Sequence, residues 1–271
     1  MLTASNIQSE IRSALSSHPW RDQVFVMDSV DSTNNALKEM AKNGAPQGTC
    51  LVALEQTVGR GRQGKSFSSP RGQGLYFSVL LRPRCIPAQV GHVTAMAAVA
   101  TADAVEAVTG VKPGIKWTND LVFGNKKLSG ILSEMEADWE NNTIEYIIIG
   151  VGINLSQKPH EFPEDLQNIA TSIRAYTRKE PSLALLAAAL VERFSQMSGS
   201  LLTEKGLWLQ RYRENCVTIG KEVKVIRGEE TKFAWALDID EAGGLKVRFP
   251  GGKFDTIYSG EVSVRGLWGY I

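Results

Sequence analysis

The chain has 271 residues, with 30 Lys+Arg against 29 Asp+Glu, a formal net charge of +1 and 43% hydrophobic residues. That size leaves room for one large domain and one small one, and the balanced charge argues against a protein that binds nucleic acid through a broad basic surface. Cys50, Cys85 and Cys216 form no CxxC and read as reduced structural thiols, while His18, His92 and His160 lie at no metal-ligand spacing. Neither a bound metal nor a histidine catalyst is expected, and with no secretory leader and no membrane-length apolar run the expected location is the cytoplasm.

From the N-terminus, residues 5–17 place Ile7, Ile11, Ala14 and Leu15 on one helical face, and residues 24–26 are apolar and β-favouring. Asp31-Ser32 offers N-cap side chains for a helix over 35–43, where Ala36, Leu37, Met40 and Ala41 recur at helical spacing and Gly44 supplies the stop. Ser32, Thr33 and Asn34 thus sit at a helix start. Residues 49–54 read as a buried strand, 56–72 as a long loop rich in glycine and arginine, and 75–81 as another strand. Residues 88–109, with Val90, Val93, Ala97, Ala100 and Ala104, predict a helix of small residues closed by Gly110 and packed on a sheet. Strands are predicted at 115–120, 121–123, 127–135 and 144–151, with turns at Gly124-Asn125 and Asn141-Asn142, and such short connections imply antiparallel pairing. Helices over 182–202 and 207–212 follow. From Val217 onward, β segments at 223–226, 233–239, 245–249, 254–258 and 262–265 predict a small separate β-barrel, with the boundary near residue 216.

Three segments carry chemistry. Gly59-Arg60-Gly61-Arg62-Gln63-Gly64-Lys65-Ser66 fits both GxGxxG and the phosphate-binding GxxxxGK[ST]. A P-loop needs a helix straight after its lysine, because the phosphate rests on that helix's N-terminus. Phe67-Ser68-Ser69-Pro70-Arg71-Gly72 does not support one, and a Rossmann site fails on the same ground. Two readings of the loop remain: Arg60 and Arg62, carried on glycines, wrap an anion, or the loop is a flexible surface segment with incidental basic residues. In the second segment, Lys116-Trp117-Thr118-Asn119-Asp120 precedes Lys127-Leu128-Ser129-Gly130-Ile131-Leu132. There Lys127 either solvates a strand end or, with Gly130 nearby, meets a ligand lying close to the backbone. The third, Gly150-Val151-Gly152-Ile153-Asn154-Leu155, ends an apolar strand in small residues and an asparagine able to bond a base or backbone, with a β-bulge as the alternative.

Taken together and in order, these segments resemble the biotin protein ligases, also called biotin-[acetyl-CoA-carboxylase] ligases. The resemblance is carried by Asp31-Ser32-Thr33-Asn34, Glu55-Gln56, the loop 59–64, Lys116 to Asp120, Lys127 to Leu132, Gly150 to Leu155, and Ser259-Gly260-Glu261-Val262-Ser263-Val264-Arg265. It implies an α+β catalytic domain over residues 1–215, a mixed, largely antiparallel sheet backed by helices of the class II synthetase-like kind, then a C-terminal SH3-like β-barrel over residues 216–271. It further implies that Ser32, Thr33 and Asn34 hydrogen-bond the ureido ring of biotin and that Gln56, Arg60, Gly61 and Gly130 line the biotin site. Arg62 and Lys127 would be the catalytic pair, meeting both carboxylate and phosphate. Phe67, Lys116, Asn119, Asp120 and Asn154 would complete the ATP side. The chain departs from the family pattern at Phe67, often Trp, at Thr118, usually Pro, and in the barrel, where Gly-x-Ala-x-Gly-Ile-Asp reads Ala234-Trp235-Ala236-Leu237-Asp238-Ile239-Asp240.

The implied activity uses ATP, accompanied by Mg2+, to convert biotin to biotinyl-5'-AMP and then delivers biotin to a lysine of a biotin carboxyl carrier protein domain of a carboxylase. It needs no nucleophile on the enzyme, in keeping with the lack of a Ser-His or Cys-His pair. Asp120 is a candidate to assist deprotonation of the carrier lysine, whose unperturbed pKa is about 10.4. Lipoate or octanoate ligation shares the fold but leaves Ser32, Thr33 and Asn34 without a purpose, and intact Arg62 and Lys127 oppose a non-catalytic biotin-sensing module. Family members that repress transcription carry a winged helix before the Ser-Thr-Asn segment, where this chain has about 30 residues. A monomer or weak homodimer that binds neither DNA nor membrane is expected.

Overall fold

The computed structural model describes residues 3–258, 263–266 and 270. Helical periodicity decides its first element: Ile7, Ile11 and Leu15 form the buried face of α1 (Ala4–Leu15), whose first turn is capped by the Thr3 hydroxyl. After β1 (Val24–Met27) comes α2 (Thr33–Lys42), which begins earlier than the predicted 35–43. Ser32 stands at its N-cap, but its hydroxyl makes no capping bond. Asp31 instead accepts from Asn35 Nδ2 at 2.7 Å, and the Thr33 amide donates to Gln56 Oε1 at 2.9 Å. One backbone amide of the first turn, that of Thr33, is therefore satisfied by a side chain outside the helix.

Strand β2 (Cys50–Ala53) runs parallel to β1, with Val24 opposite Cys50. It is followed by β3 (Gly74–Leu81), α3 (Val93–Thr109), β4 (Gly114–Lys116), β5 (Asp120–Phe123), β6 (Lys126–Asp138) and β7 (Thr143–Asn154). The seven strands form one sheet of order β1-β2-β3-β7-β6-β5-β4 in which every pairing after the first is antiparallel. This is the mixed, largely antiparallel sheet expected. Two boundaries differ from the sequence reading. A 3-10 turn at Pro87–Gln89 takes the first part of the predicted long helix, so α3 starts at Val93, and Gly110 closes it in the left-handed conformation at φ 75°. The predicted strand over 115–120 stops at Lys116, and the chain turns through Trp117–Thr118, a cis peptide, into β5.

Alternation along the strands divides the sheet into two faces. Phe77, Val79 and Leu81 of β3 and Ile147, Ile149, Val151 and Ile153 of β7 enter the main core. That core is roofed by α1, α3, α5 (Leu183–Ser200) and α6 (Lys205–Asn215). The alternate residues, among them Tyr76, Ser78, Gly150, Gly152 and Asn154, face the other way, as do Gly130, Leu132 and Glu134, which lie opposite Gly152, Gly150 and Ile148. On this second face α2 covers only a part, where Leu37 and Ala41 pack with Leu51, Leu80, Tyr146 and Ile148. Full burial of Leu37 there contributes about 2 kcal/mol. Among the described residues no α-helix covers the rest of the face, which carries glycines.

Residues 156–171, which show no clear period, fold through 3-10 turns and return to β6, Lys127 N donating to Ile169 O at 2.7 Å and Thr171 N to Lys127 O at 2.8 Å. A short helix, α4 (Ile173–Thr177), capped by Ser172, was not predicted.

The C-terminal strands β8 (Glu222–Arg227), β9 (Glu230–Ile239), β10 (Leu245–Arg248), β11 (Phe254–Ile257) and β12 (Ser263–Gly266) form a five-stranded antiparallel sheet of order β11-β10-β9-β8-β12. The altered barrel motif alternates through Ala234, Trp235 and Ala236, which are buried, exposed and buried, and then shifts at an irregularity in the β9–β10 register, beyond which Ile239 is buried. Of the segment 259–265, residues 259–262 lie outside the described residues and the others form β12. The unit is seated against the first by Val217 N on Ile115 O, and by Trp117 Nε1 on Gly243 O, both at 2.9 Å. Its interior is continuous with the main core. Among the described residues no helix is long and apolar enough to cross a membrane.

Candidate active site

The uncovered face of the sheet, the arginine loop, the β4–β5 turn and residues 162–170 enclose a cavity of about 470 Å³, a size suited to a small-molecule ligand. Every site residue singled out in the sequence lines it: Ser32, Thr33, Asn34, Gln56, Arg60, Gly61, Arg62, Phe67, Lys116, Asn119, Asp120, Lys127, Gly130 and Asn154. Its floor is bare backbone. A Cβ at Gly150 would lie 2.2 Å from Asn34 Oδ1, one at Gly152 2.6 Å from the Phe67 ring, and one at Gly130 3.3 Å from Lys127 Nζ. Each glycine therefore seats one side chain of the site.

One end is lined mainly by uncharged polar side chains. Ser78 Oγ lies 2.8 Å from Thr33 Oγ1 and 2.6 Å from Asn34 Oδ1. Gln56 Oε1 accepts from the Thr33 amide and, at 3.1 Å, from its hydroxyl, while Gln56 Nε2 donates to Ser69 Oγ at 2.8 Å. Asn34 Nδ2 donates to Glu134 Oε2 at 2.8 Å, which fixes the orientation of the amide. Burial by itself would raise the Glu134 pKa. Hydrogen bonds from Lys38 and Asn34 and the charges of Lys38 and Arg60 outweigh it and hold the carboxyl below its ordinary value, so it stays ionised. Ser32, Thr33 and Asn34 are all buried, in a rigid array of hydroxyls and amides shaped for a planar polar group.

The other end is cationic. The loop folds back on itself, Gly61 N donating to Lys65 O at 2.7 Å and Phe67 N to Gly59 O at 2.9 Å, with Gln63 and Gly64 at φ 55° and 71° in the turn. No helix follows before β3, so the exclusion of a P-loop holds. The loop is not an incidental surface segment either. Arg62 Nη1 donates to Asn119 Oδ1 at 2.9 Å, and Asn119 Nδ2 in turn holds Ile131 O at 2.7 Å. Burial lowers the pKa of Arg62 from its ordinary value, partly offset by Asp120 and Tyr212, and the guanidinium remains charged at neutral pH. Arg60 departs to the polar end, donating to Asn35 Oδ1 at 2.8 Å and pairing with Glu134 at 3.1 Å.

Lys127 Nζ lies across Gly130 and pairs with Asp120 Oδ1 at 2.7 Å. Asp120 is opposite Gly130 in the β5–β6 register and also accepts from Tyr270 Oη. Burial pushes the Asp120 pKa up, but Lys127, the Tyr270 hydroxyl and Lys116 outweigh it and keep the carboxyl below its ordinary value. Lys116, itself buried, places Nζ 3.6 Å from the centroid of the Tyr270 ring. Arg62, Lys116 and Lys127 outnumber the cavity's acidic residues, Asp120 and Asp165, and make this end a site for anions. Asn154 Nδ2 donates to Thr171 O at 3.0 Å, and β7 pairs through Gly150–Asn154 without a register shift, so the β-bulge alternative does not apply.

Sequence reading missed Ser78, Glu134, the 162–170 wall and Tyr270. A lone serine within the otherwise apolar run 75–81 was the available signal for Ser78. The others had none, since they reach the cavity only through the sheet register or through distant chain segments.

Residues 26–154 match the biotin/lipoate A/B protein ligase family and residues 218–265 the biotin protein ligase C terminal domain. The chain is 32% identical over 262 residues to the bifunctional ligase/repressor BirA of Bacillus subtilis, spanning 95% of this chain and 78% of that protein. It is 30% identical over 249 residues to the biotin-[acetyl-CoA-carboxylase] ligase of Mycobacterium tuberculosis, spanning 90% and 89%. Among solved structures, the biotin protein ligase from Aquifex aeolicus in complex with biotin and ATP aligns with a TM-score of 0.75 at 30% identity, over 90% of this chain and 98% of that one.

Proposed function

The chain belongs to the biotin protein ligases of the biotin/lipoate A/B protein ligase family, and from that premise we propose how its cavity makes and uses biotinyl-5'-AMP. A biotin carboxylate oxygen attacks the α-phosphorus of Mg-ATP, the bond to the β-phosphate oxygen breaks, and pyrophosphate leaves. A lysine amine of a biotin carboxyl carrier protein domain then attacks the acyl carbon, the bond to the phosphate oxygen breaks, AMP leaves, and the new amide sheds the amine proton. The observation that carries this reading is that the polar end and the cationic end share one glycine-floored strip of β6 and β7. From residue 127 to residue 134 that strip extends roughly 20 Å. A ligand lying along it presents a urea-like ring to Ser32, Thr33 and Asn34 and its carboxylate to the cations.

In this reading Arg62 and Lys127 are the catalytic pair, stabilising charge that grows on the phosphoryl oxygens, and Asn119 orients Arg62. Gln56, Arg60, Gly61 and Gly130 shape the biotin side. Phe67, Lys116, Asn119, Asp120 and Asn154 serve the nucleotide. Asp120 is held ionised with a lowered pKa, which makes it a poor base and assigns it to orienting Lys127. Among the described residues no three His, Cys, Asp or Glu side chains gather as a metal site, so Mg2+ is read as part of the nucleotide substrate, retaining waters. Residues 1–215 form the catalytic unit and 216–271 the C-terminal one. The enzyme acts in the cytoplasm as a monomer or weak homodimer, without DNA or membrane.

Mass spectrometry after mixing the protein with Mg-ATP and either biotin or lipoate, without carrier, tests the reading. Biotinyl-AMP alone supports it. Lipoyl-AMP alone would transfer the assignment to lipoate ligation, and neither product with biotin still bound would indicate a sensor.

A further inference from the structure

We propose that Tyr270 is a positioning residue for the nucleotide end of the cavity. The proposal rests on the ligase reading above. Tyr270 lines the cavity together with Lys116, Asp120 and Lys127. Its hydroxyl donates to Asp120 Oδ2, the oxygen opposite the one that Lys127 holds, and its ring lies against the Lys116 ammonium, 3.6 Å from Nζ to centroid.

Asp120 is thus gripped from both sides, by Lys127 of β6 and by Tyr270. A carboxylate with two fixed partners cannot swing, so the ammonium it anchors stays over Gly130. The ring also confines Lys116, whose long side chain would otherwise have several rotamers. Neither contact reaches the polar end: Ser32, Thr33 and Asn34 are held by Gln56, Ser78 and Glu134. Tyr270 therefore leaves the ring-binding end alone and reaches biotin only through the carboxylate contact of Lys127, so it acts on nucleotide affinity more than on biotin affinity. No sequence motif contains it, and it lies 150 residues from its partner Asp120.

The test uses the full chain and an unreactive α,β-methylene ATP analogue, titrated calorimetrically with Mg2+ in the absence of biotin. Tyr270→Ala is expected to weaken analogue binding about tenfold, and Tyr270→Phe, which keeps the ring on Lys116, about threefold, given the strength of hydrogen bonds to charged groups. Biotin binding should fall by less than analogue binding in both. Unchanged analogue affinity in both variants overturns the proposal. So does tighter binding, which would make Tyr270 an obstruction in the nucleotide's place. A double-mutant cycle of Tyr270→Phe with Asp120→Asn in urea reads the contact without reference to ligase chemistry. Additive effects there would overturn it, while failure of the wild type to form biotinyl-AMP would count against the ligase reading alone.

Discussion

Gly150→Ala separates the two ends of the cavity by a single methyl group. A Cβ at this position would stand 2.2 Å from Asn34 Oδ1, 2.9 Å from its Cγ and 3.1 Å from its Nδ2. The strand cannot yield, because Gly150 is paired on both sides, with Ser78 of β3 and Leu132 of β6. Asn34 must therefore retreat by roughly 1 Å to reach ordinary contact. That movement breaks its bonds to Ser78 at 2.6 Å and to Glu134 at 2.8 Å, the second of them to a carboxylate. One neutral and one charge-assisted bond in a buried setting are together worth about 3 kcal/mol, which corresponds to a factor on the order of 100 in biotin affinity and a fall of about 5–10 °C in Tm. Gly152→Ala is the control, since its Cβ would meet Phe67 at 2.6 Å and so disturb the nucleotide end. Calorimetric titration of both variants with biotin and with an unreactive ATP analogue should give opposite patterns of loss. Biotin binding by Gly150→Ala within threefold of wild type, with an unchanged Tm, would refute the idea that bare backbone at Gly150 seats Asn34.

Lys127→Ala removes the ammonium that lies between Asp120 and Gly130, and biotinyl-AMP formation should fall by about 100-fold or more while Tm drops only a few degrees; a single-turnover rate within threefold of wild type would exclude a catalytic role. Asp120 and Glu134 have folded pKa values below their ordinary 3.8 and 4.5, so their contribution to stability is complete above the ordinary values and drains away as pH falls through the folded ones. Melting curves should accordingly show Tm falling below about pH 5, and Glu134→Gln should flatten part of that slope; identical slopes in both proteins would count against it. Burial pushes the thiol pKa up at Cys85 and far up at Cys50, and Cys50 is fully buried whereas Cys85 is partly exposed. An aromatic disulfide reagent should therefore label Cys85 before Cys50 in the native protein and reach Cys50 only on unfolding, and early labelling of Cys50 would show that its strand opens readily.

Much of the fold was legible in the sequence because its signals are local. Ile7, Ile11 and Leu15 at helical spacing and Gly110 beyond Thr109 specify α1 and the end of α3 from residues within a turn or two of each other. Much of the cavity's lining was legible too, since arginines on glycines and a lysine near Gly130 stand out by residue type and spacing. Tertiary structure decided what depends on distant partners. At the start of helix α2 the Thr33 amide is accepted by Gln56, 23 residues on, while the Ser32 hydroxyl makes no capping bond. Arg60 and Arg62 look equivalent in the loop, yet Glu134 draws one to the polar end and Asn119 holds the other at the cationic end. Ser78, Glu134 and Tyr270 join the site through contacts 44, 100 and 150 residues apart. No window of sequence contains both partners of such a contact, and only the sheet register and the tertiary packing bring them within hydrogen-bond reach.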